Sequence, residues 1–246
     1  MDAVRAAAKA GFAAVECHWP YATDPEDLRA VLNDTGLAMQ SLNTIVGHEG
    51  EFGLAALVGR EVEARAAIDQ AVAYAAAVGA RHVHLMAGCA AGEAALGCFM
   101  ENCHYAANAA RRTGTDLGIL IEPINPHDVP GYFLQNFDQA REVLREVAAP
   151  NLTLMFDCYH AGRMRLDLLP LMQTLLPHIG HIQIAAVPDR GAPDRGVVDY
   201  PAIFAALAAW GYDHPLGAEY HPANGDTDAS LEWMRLGIAM PAWEPV

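Results

Sequence analysis

Four oxygen-bearing side chains stand at or near the ends of short apolar runs in this sequence. They are Glu122, Asp157, Gln183 and Glu219, and they are 35, 26 and 36 residues apart. Each spacing is about the length of one strand followed by one helix. A lone charge at the end of a buried strand is costly. Such a carboxylate therefore needs a metal, a charged partner or a catalytic task.

Three carboxylates and one amide oxygen form a donor set that suits a hard divalent cation. Oxygen ligands favour Mg²⁺, Mn²⁺ or Co²⁺ over metals that prefer thiolates. The spacing alone leaves an alternative open, since acids at strand ends also pair with arginines or cap helices. Both interpretations require the four runs to be strands whose ends meet.

The elements that must position these residues alternate along the chain. Apolar runs bounded by Gly and Pro predict strands, and Ala-rich stretches with capping residues predict helices. The predicted strands cover 14–19, 38–43, 82–86, 118–121, 152–156, 181–185 and 216–218. The predicted helices cover 1–10, 24–36, 60–78, 93–112, 135–148, 166–176, 200–210 and 228–239.

Alternating strands and helices predict a parallel sheet with right-handed crossovers. With its 246 residues, the chain has the length of a (β/α)8 TIM barrel, which is about 250 residues. We therefore expect a single barrel domain over 1–246, with the first strand of a complete barrel missing from the predicted set. An open doubly wound sheet is the alternative. Polar residues at strand ends favour the barrel, because barrel active sites lie there.

The composition excludes several classes of protein. The net charge is −15, with 15 basic against 30 acidic residues, so we expect no nucleic-acid partner. No run is long and apolar enough for a membrane span, and residues 1–9 lack the apolar core of a signal peptide. Five cysteines without a CxxC pair indicate reduced thiols. These features predict a cytoplasmic protein.

Four motifs together resemble the hydroxypyruvate isomerase family, which belongs to the xylose isomerase-like barrels. They are Glu122-Pro-Ile-Asn125 with the following Asp128-Val-Pro-Gly-Tyr-Phe133, Asp157-Cys-Tyr-His160, Gly180-His-Ile-Gln-Ile-Ala185, and Glu219-Tyr220. They occur in the same order as in the family, and the resemblance extends over the whole chain.

The resemblance implies an active site as well as a fold. In this family a divalent metal, Mg²⁺ or Mn²⁺, is held by residues that match Glu122, Asp157, Gln183 and Glu219. Glu122 and Glu219 are also the acid/base pair. Such enzymes interconvert 2-hydroxy aldehydes and 2-hydroxy ketones, for example hydroxypyruvate and 2-hydroxy-3-oxopropanoate. A carbonyl polarised by a metal acidifies the neighbouring C–H, so two carboxylates can move a proton through an enediolate.

Two further residues are candidates for substrate contact. His160 resembles a residue that contacts a substrate oxygen in related sugar epimerases, and we expect it in the loop after the Asp157 strand. A helix cap or a buried structural histidine is its alternative. Arg190 follows the Gln183 strand and could hold a substrate carboxylate through its planar fork. Its alternative is a surface salt bridge.

The sequence leaves the substrate open within this chemistry. A 2-oxo-tetronate isomerase, a ketose 3-epimerase and a catalytically impaired barrel are the alternatives to hydroxypyruvate isomerase. The expected partner is a small hydroxy-oxo acid or a sugar, and a homo-oligomer is left open. Glutamine rather than histidine at position 183 favours the hydroxypyruvate isomerase branch over the epimerases.

Overall fold

The computed structural model describes residues 1–235 of the chain. The chain divides into two compact units, Met1–Met155 and Phe156–Val246. Within each unit, neighbouring strands of the sheet follow the order of the chain. Among the described residues, no helix is both long and apolar enough to cross a membrane.

The first unit alternates strands with helices in the predicted order. Its strands are β1 (Ala14–Cys17), β2 (Ala38–Asn43), β3 (His82–His84), β4 (Gly118–Ile121) and the beginning of β5 (Leu152–Asp157). Each pairs in parallel with the next. Its helices are α1 (Asp2–Ala10), α2 (Pro25–Thr35), α3 (Glu61–Val78), α4 (Glu93–Arg112) and α5 (Phe137–Val147).

Local sequence signals fix the ends of these helices. The Asp24 side chain accepts a hydrogen bond from the Glu26 amide at the start of α2, and Asn136 does the same for α5. Glycine ends α2 in the left-handed region, with φ 72° at Gly36. Asp and Asn are preferred before a helix because their side chains accept hydrogen bonds from its first free amides. Gly is preferred after a helix because it adopts the left-handed conformation without steric cost.

The stretch 47–59 packs its backbone against the end of β3. The amide of Ala56 donates to Ala87 at 2.7 Å, and Ala55 donates to Met86. Gly53 has φ 127°, and a Cβ there would lie 2.4 Å from the Met86 carbonyl oxygen. This close approach requires glycine, so Gly53 allows the two backbone segments to pack together.

The second unit continues the alternation from the end of β5. Its elements are α6 (Cys158–Arg163), α7 (Leu168–Leu175), β6 (Ile179–Ile184), α8 (Tyr200–Ala209) and β7 (Leu216–Ala218). β6 and β7 pair in parallel. The helix expected at 228–239 begins as a 3-10 helix over Ala229–Arg235, and its remaining residues lie outside the described part of the chain.

One local expectation was wrong. The segment after β5 is the short helix α6 and not a loop, so His160 lies within a helix. The physical reason is a cap: Asp157 has extended backbone angles, and its side chain accepts from the Tyr159 amide. Asp is a preferred residue at the start of a helix, and the prediction of a loop did not take this signal into account.

The apolar residues of β4 belong to the buried core. Ile119, Leu120 and Ile121 of β4 are all fully buried, as expected for a strand covered on both faces. Cys98, Cys103 and Cys158 are buried, and all five thiols are free. Burial raises the pKa of Cys158 well above its ordinary value, so this thiol stays protonated beside Asp157.

Candidate active site

Glu122 follows β4 directly and lies in the first unit. Glu122 is 6% exposed, and its Oε2 lies 3.7 Å from Nε2 of His84 at the end of β3. The structure sets His84 beside this carboxylate, where its ring supplies polar surroundings for a buried charge.

The loop after Glu122 is built around Asn125. This residue is fully buried, and its Oδ1 accepts hydrogen bonds from the amides of His127 and Asp128, both at 3.0 Å. Its Nδ2 donates to the Asp128 carboxylate. Such side-chain to backbone bonds mimic a turn, so the loop that follows Glu122 leaves the strand in one defined direction.

Asp157 ends β5 and is 1% exposed. Oδ1 accepts from the Tyr159 amide at 2.7 Å, while Oδ2 faces His160 Nε2 at 3.5 Å and Arg190 at 3.7 Å. Burial raises the pKa of Asp157 above its ordinary value, and the nearby His160 and Arg190 oppose that rise. A carboxylate that is buried to this degree needs the positive charge that these neighbours, or a bound cation, supply.

Gln183 lies in β6 and is 3% exposed. It is in register with Gly217 of β7, two residues before Glu219. The end of β6 is fixed by Tyr200, whose hydroxyl accepts from the Ala185 amide at 3.0 Å and donates to the Ala185 carbonyl at 2.7 Å. The sequence had assigned no role to this tyrosine.

Arg190 contacts Glu219 at the end of β7. Its guanidinium lies 3.0 Å from Oε1 of Glu219, and its side chain is 21% exposed. The backbone has φ 53°, its amide donates to Ala186, and its carbonyl accepts from His221. Substrate contact was the prediction for Arg190, with a surface salt bridge as the alternative; the side chain is mostly buried and lies against Asp157 and Glu219.

Tyr159 is a site residue that sequence reasoning missed. Its ring lies under the Arg190 guanidinium, with Cζ 4.9 Å from the ring centroid. The only sequence signal was its place between Asp157 and His160. Nothing local indicates the partner, because Arg190 comes from a different loop.

The donor chemistry of the second unit fits a hard divalent cation. Asp157 and Gln183 are buried residues with oxygen ligands, and Glu219 adds a partly exposed carboxylate. These are the ligand types that Mg²⁺ and Mn²⁺ prefer.

The family model for the xylose isomerase-like TIM barrel matches residues 4–236. The chain belongs to the xylose isomerase-like TIM barrel family. The predicted family and fold class are thereby confirmed. The 2-oxo-tetronate isomerase of Cupriavidus necator is 42% identical, over 96% of this chain and 92% of that protein. The hydroxypyruvate isomerase of Escherichia coli is 36% identical, over 93% of this chain and 90% of that protein.

A solved structure is similar over the same range. A crystal structure described as an AP endonuclease, family 2, from Brucella melitensis superimposes with a TM-score of 0.90 at 36% identity, covering 95% of this chain and 92% of that one. The curated relatives are named isomerases, in agreement with the isomerase class predicted for this enzyme.

Proposed function

We propose that this enzyme interconverts hydroxypyruvate and 2-hydroxy-3-oxopropanoate, a ketone and an aldehyde that each carry a carboxylate. The observation that carries the proposal is Arg190. A mostly buried guanidinium lies against the carboxylates of Asp157 and Glu219, and a planar fork of this kind is the group that recognises carboxylates. The similarity to the Escherichia coli enzyme supports the same substrate class.

Glu122 and Glu219 are the proposed acid/base pair. Isomerisation moves a proton between neighbouring carbons, so one carboxylate must remove it and a protonated group must return one. Glu122 is buried beside His84, whereas Glu219 is partly exposed and pairs with Arg190. The two carboxylates therefore have different environments. Different environments are how paired carboxylates acquire different protonation roles.

The proposed metal ligands are Glu122, Asp157, Gln183 and Glu219, with Mg²⁺ or Mn²⁺ as the ion. A bound divalent ion would polarise the substrate carbonyl and acidify the adjacent C–H. Asp157 is held for this role by the Tyr159 amide at 2.7 Å. His160, 3.5 Å from Asp157, is proposed to contact a substrate oxygen.

A substrate screen tests the proposed function. Protein supplied with Mn²⁺, and the same protein treated with chelator, are assayed for conversion of hydroxypyruvate, a 2-oxo-tetronate, and a neutral ketohexose. We expect the protein with Mn²⁺ to convert the acids. The protein treated with chelator should not convert them. Turnover of the ketohexose alone would contradict the proposal and favour an epimerase.

Arg190→Lys tests the recognition of the carboxylate. Lysine keeps the charge but loses the planar fork, so KM should rise more for a 2-oxo acid than for a neutral ketose. Arg195→Lys is a matched control, because Arg195 pairs with Asp189 through a half-exposed side chain. Equal effects of Arg190→Lys on acidic and neutral substrates would indicate a structural role for Arg190.

A 2-oxo-tetronate isomerase is the second candidate. The observation in its favour is the 42% identity to the enzyme of that name over 92% of its length. The substrates of the two candidates differ by one hydroxymethylene (CHOH) carbon. The ratio of kcat/KM for the three-carbon and four-carbon acids decides between them, with the larger value identifying the substrate.

We also propose that residues 1–246 form one functional domain. The family match over 4–236, which includes residues of both compact units, supports this. Activity assays of separate fragments test it. Separately expressed 1–155 and 156–246 should each lack activity, and an active fragment would contradict the proposal.

A further inference from the structure

The ring of Tyr159 forms a platform beneath the Arg190 guanidinium. Cζ of Arg190 lies 4.9 Å from the ring centroid, within the range of a cation–π contact. The tyrosine is 4% exposed and packs with Ala185 and Val187 in a small apolar cluster. The platform is therefore fixed by packing.

The backbone of Arg190 is also fixed. Its amide donates to Ala186 at 2.9 Å, and its carbonyl accepts from the His221 amide at 2.7 Å. The side chain has several rotatable bonds, and one edge of its guanidinium lies 3.0 Å from Glu219 and 3.7 Å from Asp157. A ring face beneath the guanidinium restricts the tilt of its plane, and that plane decides whether two N–H groups can meet both oxygens of a carboxylate.

We propose that Tyr159 is a positioning residue that orients Arg190 and thereby gives this enzyme its preference for acidic ligands. The proposal rests on the proposed function of Arg190 in binding a substrate carboxylate. Tyr159 acts through its ring. Its amide hydrogen bond to Asp157 belongs to the backbone, so side-chain substitutions leave that contact in place.

Two substitutions separate the ring from the hydroxyl. Tyr159→Leu removes the aromatic face at similar bulk, whereas Tyr159→Phe retains it. The probe is tartronate, an inert hydroxy-dicarboxylate, titrated calorimetrically into protein that contains Mn²⁺. We expect Tyr159→Leu to weaken tartronate binding about five- to tenfold, the size of a partly desolvated cation–π contact. Tyr159→Phe should stay within about twofold of the wild type.

A matched control excludes a general packing effect. Phe204 is 4% exposed in α8 and stacks on Tyr200, so Phe204→Leu removes an equally buried ring from the same unit. It should leave the tartronate affinity unchanged while lowering the unfolding midpoint. Equal weakening by Tyr159→Leu and Phe204→Leu, or by Tyr159→Leu and Tyr159→Phe, would overturn the inference.

The kinetic readout distinguishes positioning from structure. Tyr159→Leu should raise KM for hydroxypyruvate and leave KM for glyceraldehyde, the neutral triose, unchanged. Bound manganese, measured by elemental analysis, should match the wild type. A parallel rise in both KM values, or a failure of wild-type protein to bind tartronate, would contradict the proposal.

The two proposals can fail separately. Wild-type protein that binds tartronate with the expected variant pattern but converts no hydroxy-oxo acid would refute the proposed function and keep the role of Tyr159. Turnover of hydroxypyruvate by wild-type and Tyr159→Leu proteins with the same KM would refute only the role of Tyr159.

Discussion

At the scale of single residues, Glu122 and Glu219 differ in exposure and in neighbours. Glu122 is buried against His84, and Glu219 is partly exposed and paired with Arg190. Glu→Gln is nearly isosteric but removes the ionisable proton site, together with the negative charge that the carboxylate offers to a metal. We expect Glu122→Gln and Glu219→Gln each to lower kcat by about 10²-fold or more, since general acid–base catalysis is worth 10²–10⁴.

The measurement is turnover of hydroxypyruvate at saturating Mn²⁺. Glu142→Gln is the matched control, because Glu142 is an exposed carboxylate in α5 that pairs only loosely with Arg145 at 3.8 Å. The control should keep the wild-type kcat. Turnover near the wild-type value in either site variant would refute the acid/base assignment.

At the scale of elements, Tyr200 joins α8 to the end of β6 through one hydroxyl. The hydroxyl is buried and bonds both the amide and the carbonyl of Ala185, and burial raises the pKa of Tyr200. Tyr200→Phe leaves both backbone groups without this partner. An unsatisfied buried polar group costs about 1–3 kcal/mol, so the free energy of unfolding should fall by that amount.

Chemical denaturation of both proteins measures this loss. Tyr105→Phe provides the comparison, since the Tyr105 hydroxyl bonds Asp69 at the surface, where water can replace it. Its loss should be clearly smaller. A Tyr200→Phe protein as stable as the wild type would mean that water or a backbone shift satisfies Ala185.

Glu51 stabilises the stretch 47–59 through a hydrogen bond and an ion pair. The His48 amide and the Arg60 guanidinium hold the pKa of Glu51 below its ordinary value of 4.5. Because the folded-state pKa is the lower one, the stabilising contribution is present above pH 4.5. It is lost as the pH falls from there through the folded-state pKa.

Glu51→Gln should therefore flatten the acid side of the stability profile. Unfolding midpoints between about pH 3 and 7 measure this. The difference in unfolding midpoint between wild type and variant should be larger at pH 7 than at pH 3. Glu26→Gln is the control, as the Glu26 side chain lies exposed in the first turn of α2. A pH-independent gap would show that Glu51 acts through packing.

At the scale of the whole molecule, binding of the proposed metal should stabilise the folded protein. A ligand that binds only the folded state stabilises it by mass action, by about 2.7 kcal/mol at 100 times the dissociation constant. We expect saturating Mn²⁺ to raise Tm in the wild type and to raise it much less in Glu219→Gln. Asp213→Asn, at an exposed acid next to His214, should keep the full shift.

Each protein is compared with and without the metal, so that a change in basal stability cancels. The same Tm shift in the wild type and in Glu219→Gln would remove Glu219 from the ligand set. No shift in any protein would contradict a resident divalent ion at this site.

The sequence by itself determined the strands, the helices other than α6, and the places of the polar residues along them. Apolar runs between breakers identified the strands that end near Glu122, Asp157 and Glu219, and caps such as Asp24 and Gly36 bounded the helices. These signals are local, because backbone hydrogen bonds and side-chain periodicity within a segment decide whether it is a strand or a helix. Motifs in order then indicated the family, which the comparisons confirmed.

Only the tertiary structure decided which side chains meet. The ring of Tyr159 lies under Arg190, the Tyr200 hydroxyl holds Ala185, and His84 lies beside Glu122. In each case the partners come from different elements, so no local pattern encodes the contact. The physical reason is that such contacts depend on packing, which sets the position and the exposure of both groups together.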